Sequence, residues 1–417
     1  MGLVTDAPAT VAGVPDVPVG TRREPRQLGL LLVLGALSAF GPLSLDMYLP
    51  AFPALAADLG AGASRVQLTI TTCLVGLALG QLVAGPLSDR FGRKRPLLVG
   101  VAGYALASVL CALAPDIWTL TGARVVQGLA GSAGIVIARA VVRDLHSGPA
   151  LARFFALLML VNGLAPILAP LVGAQVLRFT TWRGVFVVLA VIGVLIWLAV
   201  LLVLPETLPP ERRHGGGVAD TVRTFGALLR ERAFVGYALS TGFVMGAMFA
   251  YIAGSSFVLQ QVYGLSAQQF ALVFGSNAAG LIAASQVSAR LVRRHSPRTL
   301  MRAGVAMSAT GGVALLGCVL LGAGLVGVLL SLFLVVTSVG LVAPNAAALA
   351  LADHPRTAGS ASALLGLGQY AVGGLVAPLV GLSGERSLAW VIAVSAVLAA
   401  VVFAVLLRGT GRPQGAS

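Results

Sequence analysis

Twelve apolar stretches, each about as long as a helix that crosses a bilayer, limit this chain more than any other feature. They fall at about 28–49, 66–86, 96–114, 120–142, 152–177 and 184–204, and again at about 235–260, 268–289, 300–321, 325–350, 358–382 and 387–407. A spanning helix needs roughly 20 mainly apolar residues. Lipid offers the backbone no hydrogen-bond partner, so a run of this length must satisfy its own polar groups as a helix. Barrel strands are excluded, because their apolar residues alternate and these runs are continuous. Only 10% of residues are charged, against about 25% in a soluble domain, and mean hydropathy is +0.95. The expected fold class is an all-α membrane protein of twelve transmembrane helices in two six-helix halves.

The basic residues give the orientation. Of the 28 Lys and Arg, 22 fall in loops and tails on one side, while Arg65, Arg178, Arg183 and Arg386 fall on the other. Arg124 and Arg139 lie within the fourth span. Lys and Arg concentrate in cytoplasmic loops, so both termini and the central linker are expected in the cytoplasm, in a bacterial inner membrane. This topology signal accounts for the net charge of +14 without nucleic acid, whose binding surfaces pair basic stripes with aromatic residues. The expected organisation is a disordered cytoplasmic tail (1–26), an N-terminal bundle (27–204), a cytoplasmic linker (205–233), a C-terminal bundle (234–408) and a second tail (409–417).

Other chemistries find little support. Cys73, Cys111 and Cys318 lie in apolar runs, where cysteine behaves as a small hydrophobe, and no metal site is expected. The four histidines, His146, His214, His295 and His354, sit in or near loops, and no convergent catalytic set marks an enzyme. No phosphate-binding Gly-Lys-Ser/Thr loop is present, which argues against ATP-driven transport. No cofactor is expected.

One acid stands out. Asp46 lies in the first apolar stretch, where a carboxylate costs roughly 2.5–3.5 kcal/mol on insertion scales. A wet interior and a proton to carry would keep it there. Arg124 is a guanidinium that stays charged; it either biases the proton affinity of an acid in a shared cavity or snorkels from the helix end to the surface. Tyr48, Gln127, Asn162, Tyr251, Asn277, Asn345 and Gln369 are polar groups on apolar spans. Each either lines a substrate cavity or bonds a neighbouring helix. Gly128, Gly131 and Gly134 read as helix contact points. Arg143 with Asp144 reads as a surface anchor, with Arg139 set deeper.

The loop after the second span reads Gly85-Pro86-Leu87-Ser88-Asp89-Arg90-Phe91-Gly92-Arg93-Lys94-Arg95. Gly85 allows close helix approach, Gly92 a tight turn, and Asp89 can pair with Arg90 or Arg93 as a latch that breaks and reforms. A basic echo without the acid, ARLVRRHSPRT, follows the eighth span. This loop resembles the G-x-L-x-D-R-x-G-R-K pattern of the major facilitator superfamily, with similarity from about Pro42 to Leu407. Pro42-Leu43-Ser44-Leu45-Asp46-Met47-Tyr48-Leu49-Pro50 and Glu206-Thr207-Leu208-Pro209-Pro210-Glu211-Arg212-Arg213 resemble, more narrowly, the Bcr/CflA group of drug:proton antiporters.

The resemblance implies two pseudo-symmetric halves, alternating access, a monomer and proton coupling through the Arg124 position. Span five resembles the antiporter motif G-P-x-x-G-G, through Pro166, Ala169, Pro170 and Gly173, with Ala169-Pro170 replacing Gly-Pro and Ala174 the final Gly. The function implied is export of a hydrophobic or amphiphilic drug or metabolite in exchange for protons, such as a chloramphenicol-like or bicyclomycin-like compound. The alternative is a proton-coupled nutrient importer on the same fold.

Overall fold

The computed structural model describes residues 24–145, 148–213, 218–352, 354, 357–382 and 384–407. Residues 1–23 of the expected first tail, the second tail 409–417, His146, His214 and Arg356 lie outside the described residues. Among the described residues the secondary structure is helical throughout, with no strand.

The first span is broken. It comprises α1 (Glu24–Ser38), α2 (Phe40–Asp46), a 3-10 turn at Leu49–Ala51 and α3 (Phe52–Asp58), with a bend of 44° after Ser38. The sequence explains why the break persists. At the bend, Pro42 removes the N–H that the Ser38 carbonyl would accept in a regular helix; further on, Pro50 does the same to Asp46 and Pro53 to Leu49. The carbonyls along this stretch are therefore free to accept from other helices.

The next five spans are α4 (Ala63–Phe91), α5 (Lys94–Ala112), α6 (Ile117–Leu145), α7 (Gly148–Val176) and α8 (Trp182–Val203). The linker contains a short helix that the apolar pattern does not mark, α9 (Val218–Leu228). Then follow α10 (Arg232–Phe257), α11 (Ala267–Leu291), α12 (Pro297–Leu321), α13 (Gly324–Ala352), α14 (Ala358–Val376) and α15 (Glu385–Leu406). Among the described residues, ten segments are long and apolar enough to cross a membrane, and the bent first span makes eleven. The twelfth is α7, whose apolar part is Leu160–Val176. Helix starts follow local chemistry: Ser266 and Ser296 cap α11 and α12 through their side chains, satisfying first-turn N–H groups.

Small residues set how closely the helices approach. A Cβ on Gly76 of α4 would stand 2.3 Å from the Val125 carbonyl of α6, and one on Gly128 of α6 would stand 2.2 Å from the Cys73 carbonyl of α4. Reciprocal glycines of this kind bring two backbones into contact, and membrane helices lean on such contacts because lipid supplies no hydrophobic drive between them.

The two groups of helices, α1–α8 and α10–α15, meet away from the Arg-rich loops. Ser256 donates to the Leu49 carbonyl at 2.5 Å and Gln260 to the Pro50 carbonyl at 3.2 Å. Gln268 donates to the Ala174 carbonyl at 3.2 Å, and Thr71 to the Gly374 carbonyl at 3.1 Å. Phe52 and Phe257 pack across the same join, 5.7 Å between centroids. These contacts close the end of the molecule opposite the basic loops.

Candidate functional site

Asp46 ends α2 just before the break, and it is 5% exposed. Its carboxyl has no hydrogen bond or ion pair among the described residues. Tyr251, on α10 of the other half, lies within electrostatic range of it, and the Tyr251 hydroxyl accepts from Asn277 of α11 at 2.9 Å. Near the join of the halves, the acid of the first half thus has a phenol of the second within electrostatic range, and that phenol is held by an amide.

Arg124 is fully buried, so it does not snorkel. It donates to Gln127 Oε1 at 2.5 Å, to the Ser44 carbonyl at 2.7 Å and to the Thr69 carbonyl at 3.4 Å. Its guanidinium carbon stands 4.4 Å from the Tyr48 ring centroid and 5.7 Å from that of Phe186, a cation–π enclosure. Gln127 passes the network to Ser108 at 2.7 Å, and Tyr48 bonds Thr69 at 2.9 Å. No carboxylate pairs with Arg124 among the described residues, so in this conformation Asp46 and Arg124 are not an ion pair. Carbonyl oxygens and ring faces carry the buried charge instead. Tyr48 and Gln127 belong to this enclosure within the first half rather than to an open cavity.

The other polar candidates separate. Asn162 bonds the Leu158 carbonyl of its own helix at 2.9 Å, and Asn345 bonds Ser288 across α13 and α11 at 2.7 Å. Gln369 is the member of the set that lines the large cavity between the halves, a space of about 620 Å³. This cavity is bounded by the basic-end portions of α4, α6, α10, α13 and α14, and reaches Asp89, Arg93, Arg143 and Asp144 at its mouth. Sequence reasoning missed Gln81, Thr241 and Tyr370, which also line it. The space between the halves is open at the basic end and closed at the other.

The latch uses Arg93, not Arg90. Arg93 is 8% exposed and pairs with Asp89 at 2.5 Å and Asp144 at 2.9 Å, while Arg90 lies over the Phe91 ring. Desolvation opposes the charge on Arg93, but its bonds to Asp144 and Asp89 outweigh this and hold its pKa above the ordinary value. Glu206 completes the assembly. Its carboxylate accepts from the backbone N–H of Arg93 at 2.8 Å and of Lys94 at 3.2 Å, and from Thr207 and Leu208 at 3.0 Å each. The Arg93 and Lys94 groups open α5, so Glu206 acts as a remote cap at a helix N-terminus. Burial alone would raise its pKa; the four N–H donors overcome this and lower it. Gly92 turns the chain at φ +88°, and a Cβ there would stand 2.5 Å from Glu206 Oε2. Gly85 has room, since a Cβ there would come no closer than 3.9 Å to its nearest neighbour, Val136; it lines the cavity rather than forcing two helices together.

In α7, Pro166 and Pro170 lie inside the helix, and Ala169 is buried. Gly173 has the tightest environment of the antiporter-like motif: a Cβ there would stand 1.8 Å from the Met47 carbonyl in the broken first span.

The sequence profile of the Major Facilitator Superfamily matches residues 32–378. The chain belongs to the major facilitator superfamily. It is accordingly a multi-pass membrane protein of a transporter family whose members carry small molecules. It is 42% identical over 390 residues to an "Uncharacterized MFS-type transporter YdgK" of Bacillus subtilis, a match covering 93% of this chain and 96% of the relative. It is 33% identical to a "Bicyclomycin resistance protein homolog" of Haemophilus influenzae, with coverage of 84% and 88%. It is also 28% identical to "Multidrug resistance protein MdtL" of Escherichia coli, with coverage of 91% and 96%. Among solved structures, an inward-facing bacterial homologue of the human lysosomal transporter Spinster shares the fold, with a TM-score of 0.76 at 16% identity over 93% of this chain and 98% of that one.

Proposed function

We propose that this protein is a secondary active exporter that moves a hydrophobic or amphiphilic compound out of the cytoplasm in exchange for protons. The two bundles, 27–204 and 234–408, rock about a site between them, and the linker 205–233 joins them on the cytoplasmic side. The protein works as a monomer with both termini in the cytoplasm. Relatives named for bicyclomycin and multidrug resistance support the substrate class.

The observation that carries the reading is Asp46. A buried carboxyl at the join of the halves, with no bonded partner among the described residues, is positioned to change protonation when the surroundings change. Desolvation favours its neutral form, and water or a nearby cation favours its charge. Rocking alternates between those conditions. A compound that prefers the deprotonated state competes with the proton, which links the two fluxes. The membrane potential adds about 2.3 kcal/mol per charge per 100 mV.

The test uses everted membrane vesicles with an acid interior and a panel of amphiphilic antibiotics, bicyclomycin first. At least one compound should release protons from vesicles carrying the wild-type chain. Asp46→Asn protein, inserted at equal level, should release none and should not concentrate the compound. Uphill accumulation at the wild-type rate by that variant would remove the acid from the mechanism.

A further inference from the structure

Arg139 stands in the inter-half cavity and is not used by the exchange just described. It lies on α6, 15 residues beyond Arg124, or about 22 Å along the axis at 1.5 Å per residue, so the two guanidinium groups serve different places. The cavity lining holds three arginines, Arg93, Arg139 and Arg143, and two aspartates, Asp89 and Asp144. Arg93 bonds both aspartates. Arg139 and Arg143 are both exposed to this space, Arg143 nearer the mouth. Arg139 has no hydrogen bond or ion pair among the described residues, and a guanidinium offers five N–H donors in a planar fork.

The facing wall is built differently. Thr241, Ser362, Gln369 and Tyr370 line the cavity from α10 and α14, and among the described residues no acid of the second half lines it. Tyr370 lies within electrostatic range of Arg139. Leu82, Ile135, Val136 and Leu365 supply apolar surface around the same space. One uncompensated fork of donors, neutral hydroxyl and amide groups opposite it, and apolar walls between them form a complementary set. Among the described residues, both acids that line the space are already bonded by Arg93, so none is left to pair a cation beside Arg139.

We infer that Arg139 recognises a single negative charge on the transported compound, so that the substrate class is an amphiphilic organic monoanion, with its apolar body against the cavity walls and its anionic group on the guanidinium. This rests on the exporter reading only for the word transported; the binding preference itself needs no gradient. A carboxylate or sulfonate accepts two parallel N–H bonds from one guanidinium, and a cavity of this size holds a drug-sized molecule.

The test measures binding of three matched probes to the purified full-length protein by isothermal titration: naphthalene-2-carboxylate, naphthalene-2-carboxamide and 2-naphthylmethylammonium. The carboxylate should bind at least tenfold tighter than the other two. Arg139→Gln should lower carboxylate affinity about tenfold and leave the carboxamide within twofold. Arg139→Lys, which keeps the charge, should retain most of the preference, and Arg143→Gln should leave it intact. Equal affinities in the wild type, no measurable carboxylate binding, a preference that survives Arg139→Gln, or one lost in Arg143→Gln would each overturn the assignment. Proton release in the vesicle assay is read separately. Its absence alongside an intact carboxylate preference would count against the exchange and leave Arg139's role standing.

Discussion

Replacing Gly173 by Ala probes the contact between α7 and the broken first span. The new methyl carbon would lie 1.8 Å from the Met47 carbonyl oxygen and 2.9 Å from its carbon. Both atoms belong to backbone, so no side chain can swing aside. An ordinary carbon–oxygen contact is above 3 Å, and the two segments must part by more than an ångström. Overpacking of this kind costs about 1–3 kcal/mol. Against that, Ala gains at most about 1 kcal/mol over Gly in a helix interior. Gly317 of α12 is the matched control, because a Cβ there has nothing within 4 Å. In thermal unfolding of the detergent-purified proteins, Gly317→Ala should melt at or slightly above the wild type. Gly173→Ala should melt several degrees lower, and it should slow efflux, because α7 also takes the Gln268 bond at Ala174. Equal melting of the two variants would refute the packing argument and leave Gly173 with no steric role.

Two further outcomes follow from the latch. Arg93→Gln removes the shared partner of Asp89 and Asp144 and should slow turnover severalfold while changing substrate affinity little, whereas Arg90→Gln should be close to neutral; efflux kinetics on matched expression levels separate them. Glu206 has a folded-state pKa below the ordinary glutamate value, so its carboxylate stabilises the α5 start above about pH 4.3 and loses that contribution as pH falls through the lowered value. The wild type should therefore lose stability between pH 5 and the acid limit more steeply than Glu206→Gln, which starts about 1–2 kcal/mol less stable at pH 7 because hydrogen bonds to a charged acceptor are the stronger kind. Parallel pH–melting curves for the two proteins would count against the cap.

The helices are legible in the sequence because span length in lipid leaves the backbone one choice, and α4 to α8 and α10 to α15 lie within a few residues of the apolar runs. The breaks in span one are written in Pro42, Pro50 and Pro53, although their use is not: that the Ser44 carbonyl would serve Arg124 depends on how α2 and α6 are rotated against each other. The same limit explains the polar candidates. A lone Asn on an apolar helix says only that it needs a partner. Asn162 finds its own turn, Asn345 a serine on a neighbouring helix, and Asn277 a tyrosine at the join. The linker helix α9 is hidden because its run is short and mixed in composition. Arg139 stands out in the sequence as a cation placed deeper than its neighbours, but the absence of a bonded partner among the described residues emerges only once the five surrounding helices are assembled.

The bonds that join the halves, Ser256 to Leu49, Gln260 to Pro50, Gln268 to Ala174 and Thr71 to Gly374, all end on main-chain oxygen. The acceptor side of this gasket is therefore written in where imino acids and helix breaks stand, not in which side chains occupy the accepting positions. Leu49, Ala174 and Gly374 can drift without loss of the seal so long as the chain keeps its path, whereas the hydroxyl and amide donors have no such freedom. A transporter of this family can in this way change the side chains around its cavity and leave its closed end untouched.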